Sequence, residues 1–321
     1  QLKEWGVDLL FCTHQRASKA VPVIEAAQLM GIPTSTFIYS WDNLPKGRMA
    51  VMPDHYLVWS SFMKEQLMTY YPELEESRIH LVGTPQFEPY FRPEFVMSKE
   101  TFFQSLGLDP NKPLICYSGD DETTSPFDEF YLRDLAKAMR SIPEEKRPQI
   151  LFRACPVDHS GRFDWVLKEY PEIVSRPPLW KNFGGNWTQI LPTPEDLKML
   201  VNVTLHSDAV MNVASTMCFD FALFDKPGIF VRYNQNETKP HEPHFNLVRG
   251  YDFPHFKVVH ELQPIHWLNG ADEIVAVVEH VLNHPKEKSE ARKAWVEQML
   301  DGKAEGASLR LVEAFKTMLY A

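Results

Sequence analysis

Basic residues are in short supply: 33 lysines and arginines stand against 43 aspartates and glutamates, a formal net charge of −10. A nucleic-acid binder needs basic patches that displace counterions from a phosphate backbone, so the balance argues against nucleic acid as a partner. Any phosphate must instead be met by local donors. Cysteine is scarce as well. Cys12, Cys116, Cys155 and Cys218 follow no metal-ligand spacing, and three lie in or beside apolar runs, which reads as reduced core thiols. No stretch approaches the ~20 apolar residues of a transmembrane helix, and no signal-peptide pattern is present. The expectation is a cytoplasmic protein with at most peripheral contact at the inner face of a membrane. Repeats of solenoid period and low-complexity tracts are also missing.

What is present is ordinary globular composition, 44% hydrophobic and 24% charged over 321 residues, a length that suggests two domains of about 100 to 200 residues. Strand and helix patterns alternate from the start. Strands are predicted at Val7–Cys12, Thr34–Tyr39, His55–Trp59 and Ile79–Val82, with helices at Ser18–Met30 and Phe62–Tyr71 between them. This order marks a parallel sheet with crossover helices. A complete domain of this kind has about six strands, and the chain opens at Gln1 in what reads as mid-domain. The expectation is an N-terminal domain short of its opening strands.

The proline- and aromatic-rich GTPQFEPYFRP at Gly83–Pro93 suits a connection, and a second alternating series follows, with strands at Leu114–Tyr117, Gln149–Phe152 and Gln189–Leu191 and helices at Asp128–Arg140, Phe163–Tyr170 and Pro194–Val201. The fold class expected is α/β, with two Rossmann-like doubly wound domains. Two domains are expected, residues 1–92 and 93–300, followed by a terminal helix within 301–321.

The second series culminates in Ser207–Val231, SDAVMNVASTMCFDFALFDKPGIFV. Ala209–Val213 reads as a strand, Cys218–Phe224 as a helix stopped by Asp225-Lys226-Pro227, and Gly228–Val231 as the next strand. Ser215 and Thr216 in the intervening turn place two hydroxyls and the first helical N–H groups at the carboxyl end of a strand. There an open α/β sheet docks anions. Asp220, one turn on, can accept from a sugar hydroxyl. A simple N-cap is the plain alternative for the Ser-Thr pair.

The phrase HSDAVMNVAST…FDFALFDKPGIFV resembles the nucleotide-binding segment of GT-B glycosyltransferases, close to the branch of CDP-glycerol and related polyol-phosphate transferases. GIPTSTFIYSWDN, PDHYLVWSSFMKEQL and IHLVGTPQFEPYF, within Gly31–Phe87, resemble the N-terminal domain of the same transferases. UDP-N-acetylglucosamine 2-epimerases have a similar arrangement. The resemblance implies Ser215, Thr216 and Asp220 as donor-binding residues. It also implies a metal-independent reaction with no cofactor beyond the nucleotide-diphosphate sugar itself. The acceptor implied is a carbohydrate or lipid-linked group, in bacterial surface-polysaccharide assembly.

Other loops at strand ends add candidates. Trp41, Asp42 and Asn43 offer an apolar wall, a base and a fixed amide on the acceptor side, against the alternative of an Asx turn over a buried Trp41. Ser118-Gly119 suits close approach of backbone to a pyrophosphate. The adjoining Asp120-Asp121-Glu122 reads as a solvated loop. Arg153 or Arg162 can grip a phosphate or make a surface salt bridge. Cys155-Pro156 stands where the relatives tend to carry His-Pro, which counts against a polyol-phosphate mechanism. Pro192 and Thr193 fall where GT-B proteins hold the base, although Thr193 also reads as an N-cap. Among His14, His241, Glu242 and His244, His244 is preferred as a catalytic imidazole beside Asp42. The lobes are expected to enclose a crevice, with the diphosphate against the helix opening near residue 215.

Overall fold

The computed structural model describes residues 1–16, 18–184, 189–239, 242 and 245–320. The chain divides into two compact units: residues 1–91 with 296–321, and residues 92–295. Among the described residues no helix is long and apolar enough to cross a membrane.

The first unit holds a four-stranded parallel sheet of β1 (Leu10–Cys12), β2 (Thr34–Phe37), β3 (His55–Val58) and β4 (Ile79–Leu81), in sequence order. β2 is buried along its length although three of its four residues are polar. Its hydroxyls have partners: Thr34 donates to Asp54 at 2.7 Å and Thr36 to the Cys12 carbonyl at 3.3 Å. Pairing of this kind offsets the desolvation that would otherwise exclude them. The helix Ala307–Tyr320 belongs to this unit. Its Ser308 amide donates to Glu88 at 2.7 Å, Arg310 donates to the Val82 carbonyl at 3.1 Å, and Phe315 packs edge-on against Phe11.

The second unit is built on a six-stranded parallel sheet and a separate two-stranded one. Its strands are β5 (Leu114–Ser118), β6 (Gln149–Arg153), β7 (Val174–Ser175), β8 (Trp180–Asn182), β9 (Ile190–Pro192), β10 (Ala209–Asn212), β11 (Gly228–Val231) and β12 (His266–Leu268). β5, β10 and β11 are buried at every position. A parallel strand covered on both faces requires such near-continuous apolar runs. The helix Asp128–Arg140 buries Tyr131, Leu132, Leu135, Ala136 and Met139 at helical spacing.

The sheet order is β12-β11-β10-β5-β6-β7. The chain starts at the centre with β5, steps outward to β7, then returns to lay β10 on the other side of β5. The expected strand at Gln189–Leu191 forms as β9, but its place in the parallel series is corrected: among the described residues it pairs only with β8, antiparallel, outside the parallel sheet. An apolar run announces a strand but not its partner.

Candidate functional site

Because the strand order reverses between β5 and β10, the carboxyl ends of these two strands border the sheet's topological switch point, where open α/β sheets bind ligands. The register places Asn212 opposite Ser118, and Ser118 opposite Arg153. The structure thus brings together Ser118, Gly119, Arg153, Ser215 and Thr216 along one edge.

The turn after β10 is anchored from below. Asn212 is wholly buried, and its Oδ1 accepts the Ser215 amide at 3.2 Å. Ala214 sits in the left-handed region at φ 53°, which costs a residue with a Cβ roughly 1–2 kcal/mol. Its amide donates to the Tyr251 hydroxyl at 3.1 Å, and that hydroxyl donates to the Val231 carbonyl at 2.7 Å. Burial pushes the Tyr251 phenol well above its ordinary range, so it stays neutral. Ser215 Oγ accepts the Met217 amide at 3.4 Å, whereas exposed Thr216 caps the helix with no side-chain bond.

The helix is short, Met217–Leu223, and carries Asp220 at 5% exposure. It lies close to β11 because residue 228 is glycine: a Cβ there would stand 2.6 Å from Cys218 Sγ. All four cysteines are free thiols, with Cys116 and Cys218 buried. Burial raises the Cys155 thiol to about 11.

Ser118 leads into a loop whose amides are already engaged. Gly119 donates to the Arg153 carbonyl at 2.9 Å, Asp120 to Asp128 Oδ2 at 2.7 Å and Asp121 to Asp120 Oδ1 at 2.8 Å. The glycine at 119 has a packing reason, since a Cβ would stand 3.1 Å from Phe152 and 3.3 Å from Phe163.

The solvated loop expected at Asp120–Glu122 holds at exposed Glu122 and is corrected at Asp120. Asp120 is half-buried and Asp128 wholly buried. Asp128 takes hydrogen bonds from the Tyr117 hydroxyl at 2.8 Å and Ser125 at 3.3 Å. Burial, then the charge of Asp128, lifts Asp120 to about 8. Burial lifts Asp128 to about 6, against the opposing pull of the Asp120 amide and Tyr117. Asp121 is spent on the amides and hydroxyls of Thr123 and Thr124.

The two arginines separate cleanly. Arg162 is consumed by structure, donating to Asp158 at 2.8 Å, to the Asp120 carbonyl at 2.7 Å and to the Ser125 carbonyl. Arg153, 5% exposed, donates Nη2 to Asp196 at 2.8 Å, while its Nη1 is buried with no partner among the described residues. A guanidinium nitrogen left so costs about 1–3 kcal/mol unless an anion or water meets it. Asp196 is held in turn by the Trp180 indole at 2.7 Å and the Leu179 amide at 2.7 Å. Thr193 accepts the Asp196 amide at 3.2 Å as the N-cap of the helix Pro194–His206, and Pro192 is exposed at the end of β9. A cavity of about 150 Å³ lies beyond the carboxyl end of β11, lined by Phe127, Asn234, Gln235, Thr238, Glu242 and Phe245. That is the size of one ring.

In the first unit, Trp41, Asp42 and Asn43 follow β2 and share its carboxyl end with the loop after β1. Asp42 forms an ion pair with Lys46, and Asn43 Nδ2 donates to Asp42 at 3.2 Å. His14 stacks on Tyr39, and the Tyr39 amide donates to Gln15 at 3.3 Å. Burial, then the Arg16 charge, lowers the His14 pKa, while Asp42 pulls it upward. His241 and His244 lie outside the described residues.

Two parallel-sheet units, one with a central switch point, match known architecture. The fold is of the GT-B type. UDP-GlcNAc 2-epimerase from Neisseria meningitidis, solved with UDP-GlcNAc bound, is similar at a TM-score of 0.59 with 11% identity, over 98% of this chain and 78% of that one. A glycosyltransferase from Rickettsia africae gives 0.53 with 12% identity, over 99% and 79%. The wall teichoic acid polymerase TagF gives 0.53 with 11% identity, over 97% and 89%. No family model and no curated protein matches the sequence. Within the GT-B fold, Asn212, Asp128 and Trp180 are the supporting residues that sequence reasoning missed. Only Asn212 left a trace, as a polar residue closing an apolar strand.

Proposed function

We propose that this protein is a glycosyltransferase of bacterial surface-polysaccharide synthesis, moving a sugar from a nucleoside-diphosphate donor to a carbohydrate or lipid-linked acceptor without a metal. The observation that carries the reading is the buried Arg153 nitrogen without a described partner, one strand from Ser118 and two from Asn212 at the switch point. Ser215, Thr216 and Arg153 bind the diphosphate, and Asp220 the ribose. As the acceptor oxygen attacks the anomeric carbon, these donors offset the charge growing on the departing nucleotide. Asp42 or His244 takes the acceptor proton.

The test is a panel of UDP-, GDP-, CDP- and CMP-linked donors in calorimetry, followed by a transfer assay with the best binder. Failure of every nucleotide to bind would end the reading. A second reading, epimerisation, draws support from the similarity to UDP-GlcNAc 2-epimerases. An epimer formed from UDP-GlcNAc with no acceptor present would favour it. CDP-glycerol turnover would favour polyol-phosphate transfer instead. Donor binding with no turnover, unaltered by replacing Asp42, would point to a non-catalytic binder.

A further inference from the structure

The opposite edge of the same sheet carries a second constellation. β12 begins at His266, so this residue lies at the amino edge, away from the switch point. Three groups from separate elements meet there: His266 from β12, His280 from the last turn of the helix Ile274–Asn283, and Glu287 from the turn before the next helix. One ligand atom from each lies within 4.8 Å of the others. His280 Nε2 and Glu287 Oε2 are in direct contact.

We propose that His266, His280 and Glu287 bind a zinc ion. Two imidazoles and one carboxylate are a zinc donor set, and three protein ligands leave a fourth tetrahedral position for water. His280 and Glu287 now hydrogen-bond to each other, and zinc binding would release any proton held in that contact to solvent. Zinc takes that place, with the imidazole keeping its proton on Nδ1. Ligand atoms must draw in from their present spread to sit about 2.0–2.2 Å from the ion. His280 and Glu287 are exposed, while His266, at 8% exposure, supplies the fixed point.

Of the nearby cations, Lys286 and Arg292 pair with Asp225, while Lys288 donates to the Gln263 carbonyl at 3.3 Å and its charge stays close to His266 and Glu287. The carboxyl end of the helix Ile274–Asn283 adds partial negative charge, which favours a cation. The ion would pin this helix and its following turn to the edge strand, a structural role independent of the nucleotide reading.

Calorimetry of the untagged, chelator-stripped chain with zinc chloride decides the matter. One equivalent should bind saturably, and H280A and E287Q, both surface changes, should each weaken it at least tenfold. Cobalt(II) should give the ligand-field absorption of a tetrahedral site in the parent chain and lose it in H280A. No saturable zinc binding, or binding of equal strength in H280A and the parent, would overturn the proposal.

Discussion

Removing both hydroxyls of the turn, with Ser215→Ala and Thr216→Ala together, is the most direct challenge to the donor site. Ser215 is half-buried and Thr216 exposed, so neither change opens a core cavity. Ser215 Oγ accepts one long bond from Met217 at 3.4 Å and keeps its proton to give, while Thr216 makes no side-chain cap bond. Folding should therefore suffer by less than about 1 kcal/mol, the scale of one weak cap. Hydrogen bonds to a charged group contribute roughly 1.5–3 kcal/mol each. With Arg153 still in place and water able to solvate part of the diphosphate, the expected loss is about 1–3 kcal/mol in total, or about 5- to 150-fold in affinity. Isothermal calorimetry with the nucleoside diphosphate that the parent chain binds best measures it, and urea unfolding checks the stability. Affinity within twofold of the parent, with unchanged stability, would refute the reasoning.

Three further outcomes follow from the same geometry. Asn212→Ala should destabilise the second unit by about 1–3 kcal/mol, since a buried acceptor for the Ser215 amide is lost, measured by denaturant unfolding; it should also weaken nucleotide binding. Asp42→Asn should lower transfer at least 100-fold, the typical scale of a lost general base, while calorimetric donor affinity stays unchanged. Asp225 accepts from Lys286, Ser289 and Arg292, which hold its carboxyl at about 2 despite partial burial. Its folded value lies below the unfolded value of 3.8, so its contribution is intact above about pH 4 and lost as pH falls toward 2. Asp225→Asn should flatten the acid limb of stability in that window, as read by thermal melts across pH.

The alternation of strands and helices was legible because buried parallel strands demand long apolar runs, as in Leu114–Tyr117 and Ala209–Met211. The turn at Ala214–Thr216 was legible through its residue types and its place after a strand. What stayed hidden depended on distance along the chain. Asp120 looks solvated until Arg162, 42 residues later, is seen donating to its carbonyl. Gly119 reads as a concession to a ligand, and the fold adds Phe152 and Phe163 as side chains it accommodates. Asp196 reads as part of a helix cap, and only the fold reveals it as the counter-ion of Arg153. His266, His280 and Glu287 follow no motif spacing, because three separate elements deliver them.

The unit holding β1 to β4 is drawn from two stretches of chain, 1–91 and 296–321. During synthesis its four strands leave the ribosome early, yet Ser61 and Glu88 wait for partners, Asp301 and Ser308, more than 200 positions downstream. The uninterrupted stretch 92–295 has everything it contacts internally by the time residue 295 emerges. The unit holding β1 to β4 should thus mature after the one that follows it, and any stop before residue 296 would leave those strands without the helix that packs on them.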